Sequence, residues 1–188
     1  THYTSNAGIK ELRLEIAAYM KRRFGLEYNG LTQTIVTVGG SEAIDLFLRS
    51  VIEPGDEVLI PEPSCVCYKP ITRLAGGVPV TITTKAENNF KLTAEEVEAA
   101  MTSKTKVLIL PFPNNPTGAV MTRHDLESVA EVVKKHNIMV LSDEIYAELT
   151  YGIQHTSVAA IDGMYDRTVV VNGFSKSHAM TGWRLGYA

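Results

Sequence analysis

The chain has 188 residues, 45% of them hydrophobic and 21% charged, a composition that excludes general disorder. Lys and Arg number 18 against 21 Asp and Glu, and the net charge of −3 excludes the basic footprint of a nucleic-acid binder. No apolar run approaches the ~20 residues of a membrane span, and the polar stretch Thr1–Lys10 does not read as a signal peptide.

The elements alternate along the chain. A helix is predicted over Ile9–Phe24, with Leu12, Ile16, Met20 and Phe24 on one stripe and Gly25 at its end. A β-branched strand, Thr34–Val38, breaks at Gly39-Gly40 and leads into a helix over Ser41–Ile52. Pro54-Gly55-Asp56 turns the chain into a second strand, Glu57–Ile60. A helix over Pro63–Leu74 and a third strand, Val78–Thr83, come next. Thr93 and Glu96 form a capping-box pattern that opens a helix to about Met101. The fourth strand is Lys106–Pro111, and Thr122 caps a helix to His136 that Asn137 ends. Ile138–Ser142, Thr168–Val171 and Arg184–Ala188 complete seven strands. Strands that are apolar throughout and separated by helices predict an α/β fold, a mostly parallel seven-stranded sheet with helices on both faces in three α/β/α layers. The missing initiator Met, and a last residue inside a strand, lead us to expect a piece of a longer protein.

Ligands of such sheets bind beyond the carboxyl ends of the strands, and the residues there carry chemistry. Val38-Gly39-Gly40-Ser41-Glu42 joins a strand to a helix start, which reads either as a phosphate cradle or as a tight turn capped by Ser41. Asn115 lies at the fourth strand's mouth, within Asn114-Asn115-Pro116-Thr117-Gly118. Asp143 ends the fifth, where a carboxylate out of water needs a cationic or hydrogen-bonded partner, and Tyr146 follows three residues on. Lys176, in Gly173-Phe174-Ser175-Lys176-Ser177, is either a solvated end charge or a functional amine. Arg184 suits bidentate phosphate binding. Cys65 and Cys67 form no disulfide framework and have no partners at zinc spacing, so they read as reduced, partly buried thiols of a cytosolic protein, and no metal site is expected.

Asn115-Pro116-Thr117-Gly118, Ser142-Asp143-Glu144-Ile145-Tyr146, and Ser175-Lys176 with Arg184 behind it resemble, in order and over the whole chain, the pyridoxal-phosphate-dependent aminotransferases of class I/II, fold type I. Gly173–Arg184 is similar to the aspartate- and aromatic-type branch. The resemblance implies pyridoxal 5′-phosphate as cofactor, held by Lys176 as a Schiff base, with Lys176 later moving the substrate proton. It implies that Asp143 pairs with the pyridine nitrogen and that Tyr146 and Asn115 bond the ring's 3′ oxygen. Gly40 and the backbone amides of Ser41 and Glu42, with the Ser175 hydroxyl and the Arg184 guanidinium, would surround the phosphate, and Tyr68 would stack on the ring. Tyr3 would reach the phosphate of the neighbouring subunit, which implies a homodimer. Residues 1–188 would then be the large domain, without the N-terminal arm or the small C-terminal domain. The implied reaction moves an amino group from an L-amino acid to a 2-oxo acid by a ping-pong route, in the cytoplasm. The same residues suit a carbon–sulfur β-lyase of this fold, or the sensor domain of an aminotransferase-like transcription regulator. One departure stands out: Cys65 occupies a position where the family often has an aromatic residue.

Overall fold

The computed structural model describes residues 2–188. Its elements are helix α1 (Lys10–Phe24), strand β1 (Val36–Thr37), α2 (Gly40–Val51), β2 (Glu57–Glu62), α3 (Tyr68–Leu74), β3 (Val78–Thr83), α4 (Ala94–Ala100), β4 (Thr105–Leu110), α5 (Arg123–His136), β5 (Met139–Asp143), β6 (Thr168–Gly173) and β7 (Gly186–Tyr187). The seven strands form one sheet in the order β1-β7-β6-β5-β4-β2-β3. Parallel pairing runs from β3 through β2, β4 and β5 to β6, while β7 is antiparallel to both of its neighbours, β6 and β1. The expected α/β architecture is present, with β7 as its antiparallel member.

Side-chain alternation divides each central strand between two cores. In β4, Leu108 and Leu110 pack with Val97 of α4 and with Leu126, Val129 and Val133 of α5. Val107 and Ile109 face the other way, onto Ile44, Phe47 and Leu48 of α2 and Tyr68 of α3. Both faces are dry, so the strand reads as an unbroken apolar run. A third cluster seats Ile16 and Met20 of α1 against Val170 and Tyr187. Both predicted caps form: Thr93 with Glu96, and Thr122 with Asp125, are reciprocal capping boxes. Asn137 ends α5 in the left-handed conformation. Among the described residues, no helix is long and apolar enough to cross a membrane.

Strands β2 and β6 run two residues further than expected, to Glu62 and Gly173, and three other boundaries also differ. Helix α3 starts at Tyr68, not Pro63, because β2 keeps its pairing with β3 as far as Glu62 opposite Thr83. Pro70 then falls in the first helical turn, where its missing N–H breaks no intrahelical bond. Strand β7 starts at Gly186, because Arg184 takes a left-handed φ of 50° at the end of a 3-10 turn, Thr181–Trp183. Strand β1 is reduced to two residues, although Ile35 and Ala188 still exchange backbone hydrogen bonds of 2.9 Å.

The sheet sets the site through one close approach. A Cβ at Gly186 would stand 2.4 Å from the Gly39 carbonyl carbon and 2.5 Å from the Gly40 nitrogen. Only hydrogen fits there, so β7 presses directly on the loop that opens α2. We predict that Gly186→Ala lowers the stability of the intact protein by about 1–3 kcal/mol, the usual cost of overpacking. Chemical denaturation measures this, and an unchanged midpoint would refute the close contact.

Candidate active site

Asp143 ends the central strand β5 on the face that carries Leu141 and Val171. Its carboxylate lies half-buried on the floor of a cavity of about 250 Å³, with protein packed around its other sides. The Tyr68 hydroxyl donates to Oδ2 at 2.7 Å and the Ile145 N–H to Oδ1 at 3.2 Å. Poor solvation raises the carboxyl pKa, these two bonds oppose the rise, and the neighbouring Glu144 charge adds to it. Burial, followed by the Asp143 charge, pushes the Tyr68 hydroxyl well above its ordinary range, so Tyr68 stays a donor. Among the described residues, Asp143 makes no salt bridge. The carboxylate therefore has two donors and no cation.

The opposite wall comes from the loop after β6. The Ser177 hydroxyl donates to the Gly173 carbonyl at 3.3 Å and fixes that turn, with Ser175 buried inside it. Lys176 is exposed at the cavity mouth, its Nζ 5.7 Å from the centre of the Tyr146 ring. The third wall is the start of α2, where free N–H groups and the positive end of the helix dipole face the cavity. The Arg184 guanidinium lies against Gly39, where a Cβ would meet Nη2 at 2.4 Å, and Nη1 donates to the Thr181 carbonyl at 2.9 Å. Gly39 has a φ of 76°, so both its conformation and its neighbour require the absence of a side chain.

The cavity brings together Gly40, Ser41, Tyr68, Asn115, Asp143, Tyr146, Ser175, Lys176 and Arg184 of the residues singled out in the sequence. The Glu42 side chain turns back on the loop, where its carboxylate accepts the Val38 N–H. Tyr3 is fully exposed and stands clear of the cavity. Tyr68, for which ring stacking is implied, here buries its ring and spends its hydroxyl on Asp143. Sequence reasoning missed that bond, which spans 75 positions. Cys65, singled out at the family's aromatic position, lines the cavity, whereas Cys67 and Thr181 were missed as lining residues, as was the cluster beneath the floor. There the fully buried Glu144 accepts from Ser142 at 2.9 Å and Ser157 at 2.6 Å, with His155 Nε2 at 2.8 Å. Strand alternation was the available signal: Ser142 and Glu144 share the face opposite Asp143.

This donor set fits a phosphorylated pyridine aldehyde. A carboxylate without a cation suits a ring N–H, an amine suits an aldehyde, and a helix start with a guanidinium suits a phosphate dianion.

A family model described as aminotransferase class I and II matches residues 1–188. The chain is 47% identical over 188 residues to aromatic-amino-acid aminotransferase 2 of Thermococcus litoralis, covering 100% of this chain and 48% of that protein. It is 45% identical over 188 residues to an aspartate aminotransferase of Pyrococcus abyssi, again covering 100% of this chain and 48% of the relative. The structure superposes on an aromatic aminotransferase from Pyrococcus horikoshii with a TM-score of 0.97 and 46% identity, over 100% of this chain and 50% of that one. The chain spans about half the length of the curated relatives it matches.

The raised pKa of Asp143 makes the cofactor-free fold hold a proton that the unfolded chain has already lost, so its stability falls as pH rises above the ordinary carboxylate range. We predict that Asp143→Asn is more stable than the wild type at pH 7.5 and that the difference shrinks towards pH 3.5. Denaturation of the cofactor-free intact protein at both pH values checks this, and a variant less stable at pH 7.5 would contradict it. Tyr68→Phe should cost about 1–3 kcal/mol at pH 7.5 in the same assay, because it strips a donor from a poorly solvated carboxylate.

Proposed function

Since the chain belongs to the aminotransferase class I and II family, we propose that it is the large, cofactor-binding domain of a pyridoxal-phosphate-dependent aminotransferase. The enzyme moves the amino group of an L-amino acid to a 2-oxo acid by a ping-pong route, as a cytoplasmic homodimer. The observation that carries this reading is the cation-free Asp143 carboxylate on the floor of a cavity whose mouth holds the Lys176 amine.

When bound, pyridoxal 5′-phosphate supplies an aldehyde that takes up the amino group and a cationic ring that accepts the electron pair left at the substrate Cα. Asp143 keeps the proton on the ring nitrogen, because a cation beside its carboxylate favours the charged form of both. Tyr68 and the Ile145 N–H hold that carboxylate in one orientation. Lys176 is the amine that would hold the aldehyde end, and its Nζ would also be the base that takes the proton from the substrate Cα. Tyr146, beside Lys176, and Asn115 orient the ring through its 3′ oxygen. The α2 N–H groups, Ser41, Ser175 and Arg184 would hold the phosphate, leaving Asp143 for the ring nitrogen. In the dimer, Tyr3 reaches the partner's phosphate. The relatives' names make aspartate and aromatic amino acids the donors to assay first.

The test is the half-reaction. Without an acceptor, the intact protein should release about one 2-oxo acid per site from a donor amino acid and then stop, as a ping-pong route requires. Continuous release of ammonia and 2-oxo acid would instead indicate β-elimination. We predict that Lys176→Ala slows the half-reaction by about 10²–10⁴-fold or more, and turnover at the wild-type rate would overturn the assignment. Arg184→Ala should weaken cofactor binding by about 1.5–3 kcal/mol, one charged hydrogen-bond partner, read by cofactor titration.

A further inference from the structure

The loop between β2 and α3 carries two sulfurs that this reading leaves unused. Cys65 and Cys67 are both half-buried, their Sγ atoms 3.2 Å apart in an S–H···S contact. Both line the same cavity as Lys176 and Asp143. A disulfide needs an S–S distance of about 2.05 Å, so the two sulfurs must approach by about 1 Å for the pair to close. Val66, between them, is almost fully exposed, which leaves the loop tip open to a small reagent. Among the described residues, no cluster of three or more His, Cys, Asp and Glu could hold a metal ion. Thiol pairs in reducing compartments that do form disulfides are typically transient and regulatory.

The position of the pair gives the disulfide a consequence. Cys67 is the residue that opens α3, and Tyr68, its neighbour, donates the 2.7 Å bond to Asp143. Cys65 and Cys67 also pack on the same apolar cluster as Tyr68. A disulfide across Val66 would close a tight ring that constrains the backbone at Cys67, next to Tyr68, and that constraint would bear on the Tyr68–Asp143 bond and on the cavity wall.

We propose that Cys65 and Cys67 are a reversible dithiol–disulfide site in the cavity wall, and that closing the disulfide weakens pyridoxal phosphate binding through Tyr68; this second part rests on the cofactor reading above. The oxidant is a low-molecular-weight disulfide of the glutathione class. Cys65 attacks one of its sulfurs, giving a mixed disulfide on Cys65 and releasing one thiol. Cys67 then attacks the Cys65 sulfur, which forms the Cys65–Cys67 bond and releases the second thiol. The two protein thiols are oxidised, the reagent disulfide is reduced, and each leaving thiolate takes up the proton of the attacking thiol. Burial, followed by the adjacent Cys65 and Asp143, pushes the Cys67 thiol up, so the first exchange falls to Cys65, and Cys67 gives up its proton to the departing thiolate only in the second step.

The experiment equilibrates the intact protein with reduced and oxidised glutathione over a range of ratios. It then alkylates free thiols and weighs the peptide spanning both cysteines. In parallel, pyridoxal phosphate is titrated into the fully reduced and fully oxidised forms. The expected peptide under oxidising ratios carries no alkyl groups and is about 2 Da lighter than the dithiol, the loss of two hydrogens. The oxidised form should bind cofactor about tenfold more weakly, and by reciprocity saturating cofactor should make the dithiol about tenfold harder to oxidise. Cys65→Ser/Cys67→Ser should bind cofactor equally at every ratio. A peptide alkylated twice at all ratios, or one carrying only glutathione adducts, overturns the disulfide. Equal affinity in both forms overturns its coupling to the cavity. If neither form takes up cofactor, the cofactor reading and the coupling fail together, while the peptide mass still decides whether the disulfide forms.

Discussion

Withdrawing a carboxylate from water costs several kcal/mol unless another group takes over the lost hydration. Asp143 meets that cost with two hydrogen bonds, from Tyr68 and the Ile145 N–H, and with no cation of its own chain. The rest of the site follows from this imbalance. A carboxyl with a raised pKa at the end of a central strand is a poor feature for a structural role and a good one for receiving a cationic ligand. Its position between the α2 and α3 face and the mouth of the sheet is what makes the cavity a site and not a gap.

The surrounding architecture keeps that carboxylate in place from two sides. Above it, α3 starts late enough for Tyr68 to bury its ring and aim its hydroxyl at Oδ2. Below it, on the other face of β5, Glu144 is satisfied by Ser142, Ser157 and His155, which ties the strand end to the segment before β6. On the third side, β7 touches the Gly39-Gly40 backbone, so the N-terminal end of α2 and the loop after β6 share one rigid support. The amine, the acid and the helix start are thereby held by neighbouring elements whose packing leaves little freedom.

Much of this was legible in the sequence, for reasons that particular residues show. Strands β4 and β5 were visible because both faces are buried and the runs are continuously apolar. The capping boxes at Thr93 and Thr122 announced two helices, because a side chain three positions away has only one geometry in which to bond both ways. Asp143, Lys176 and Arg184 stood out because charged residues at the ends of apolar strands need a reason to be there. What escaped were pairings between distant segments. Tyr68 and Asp143 are neighbours only through the packing of α3 on the sheet, and the two-residue strands β1 and β7 carry too little pattern to reveal their antiparallel match. At Glu42 the reading concerned the backbone amide at the start of α2; the bond that its carboxylate accepts from the Val38 N–H is a separate contact that the sequence did not reveal.

The central claim is that Asp143, Lys176 and the start of α2 form one site for pyridoxal phosphate. The most direct measurement incubates the intact protein with pyridoxal phosphate, reduces it with borohydride and maps the adduct by peptide mass spectrometry. The account predicts a single adduct, on Lys176. No adduct, or adducts scattered over the surface lysines, would contradict it.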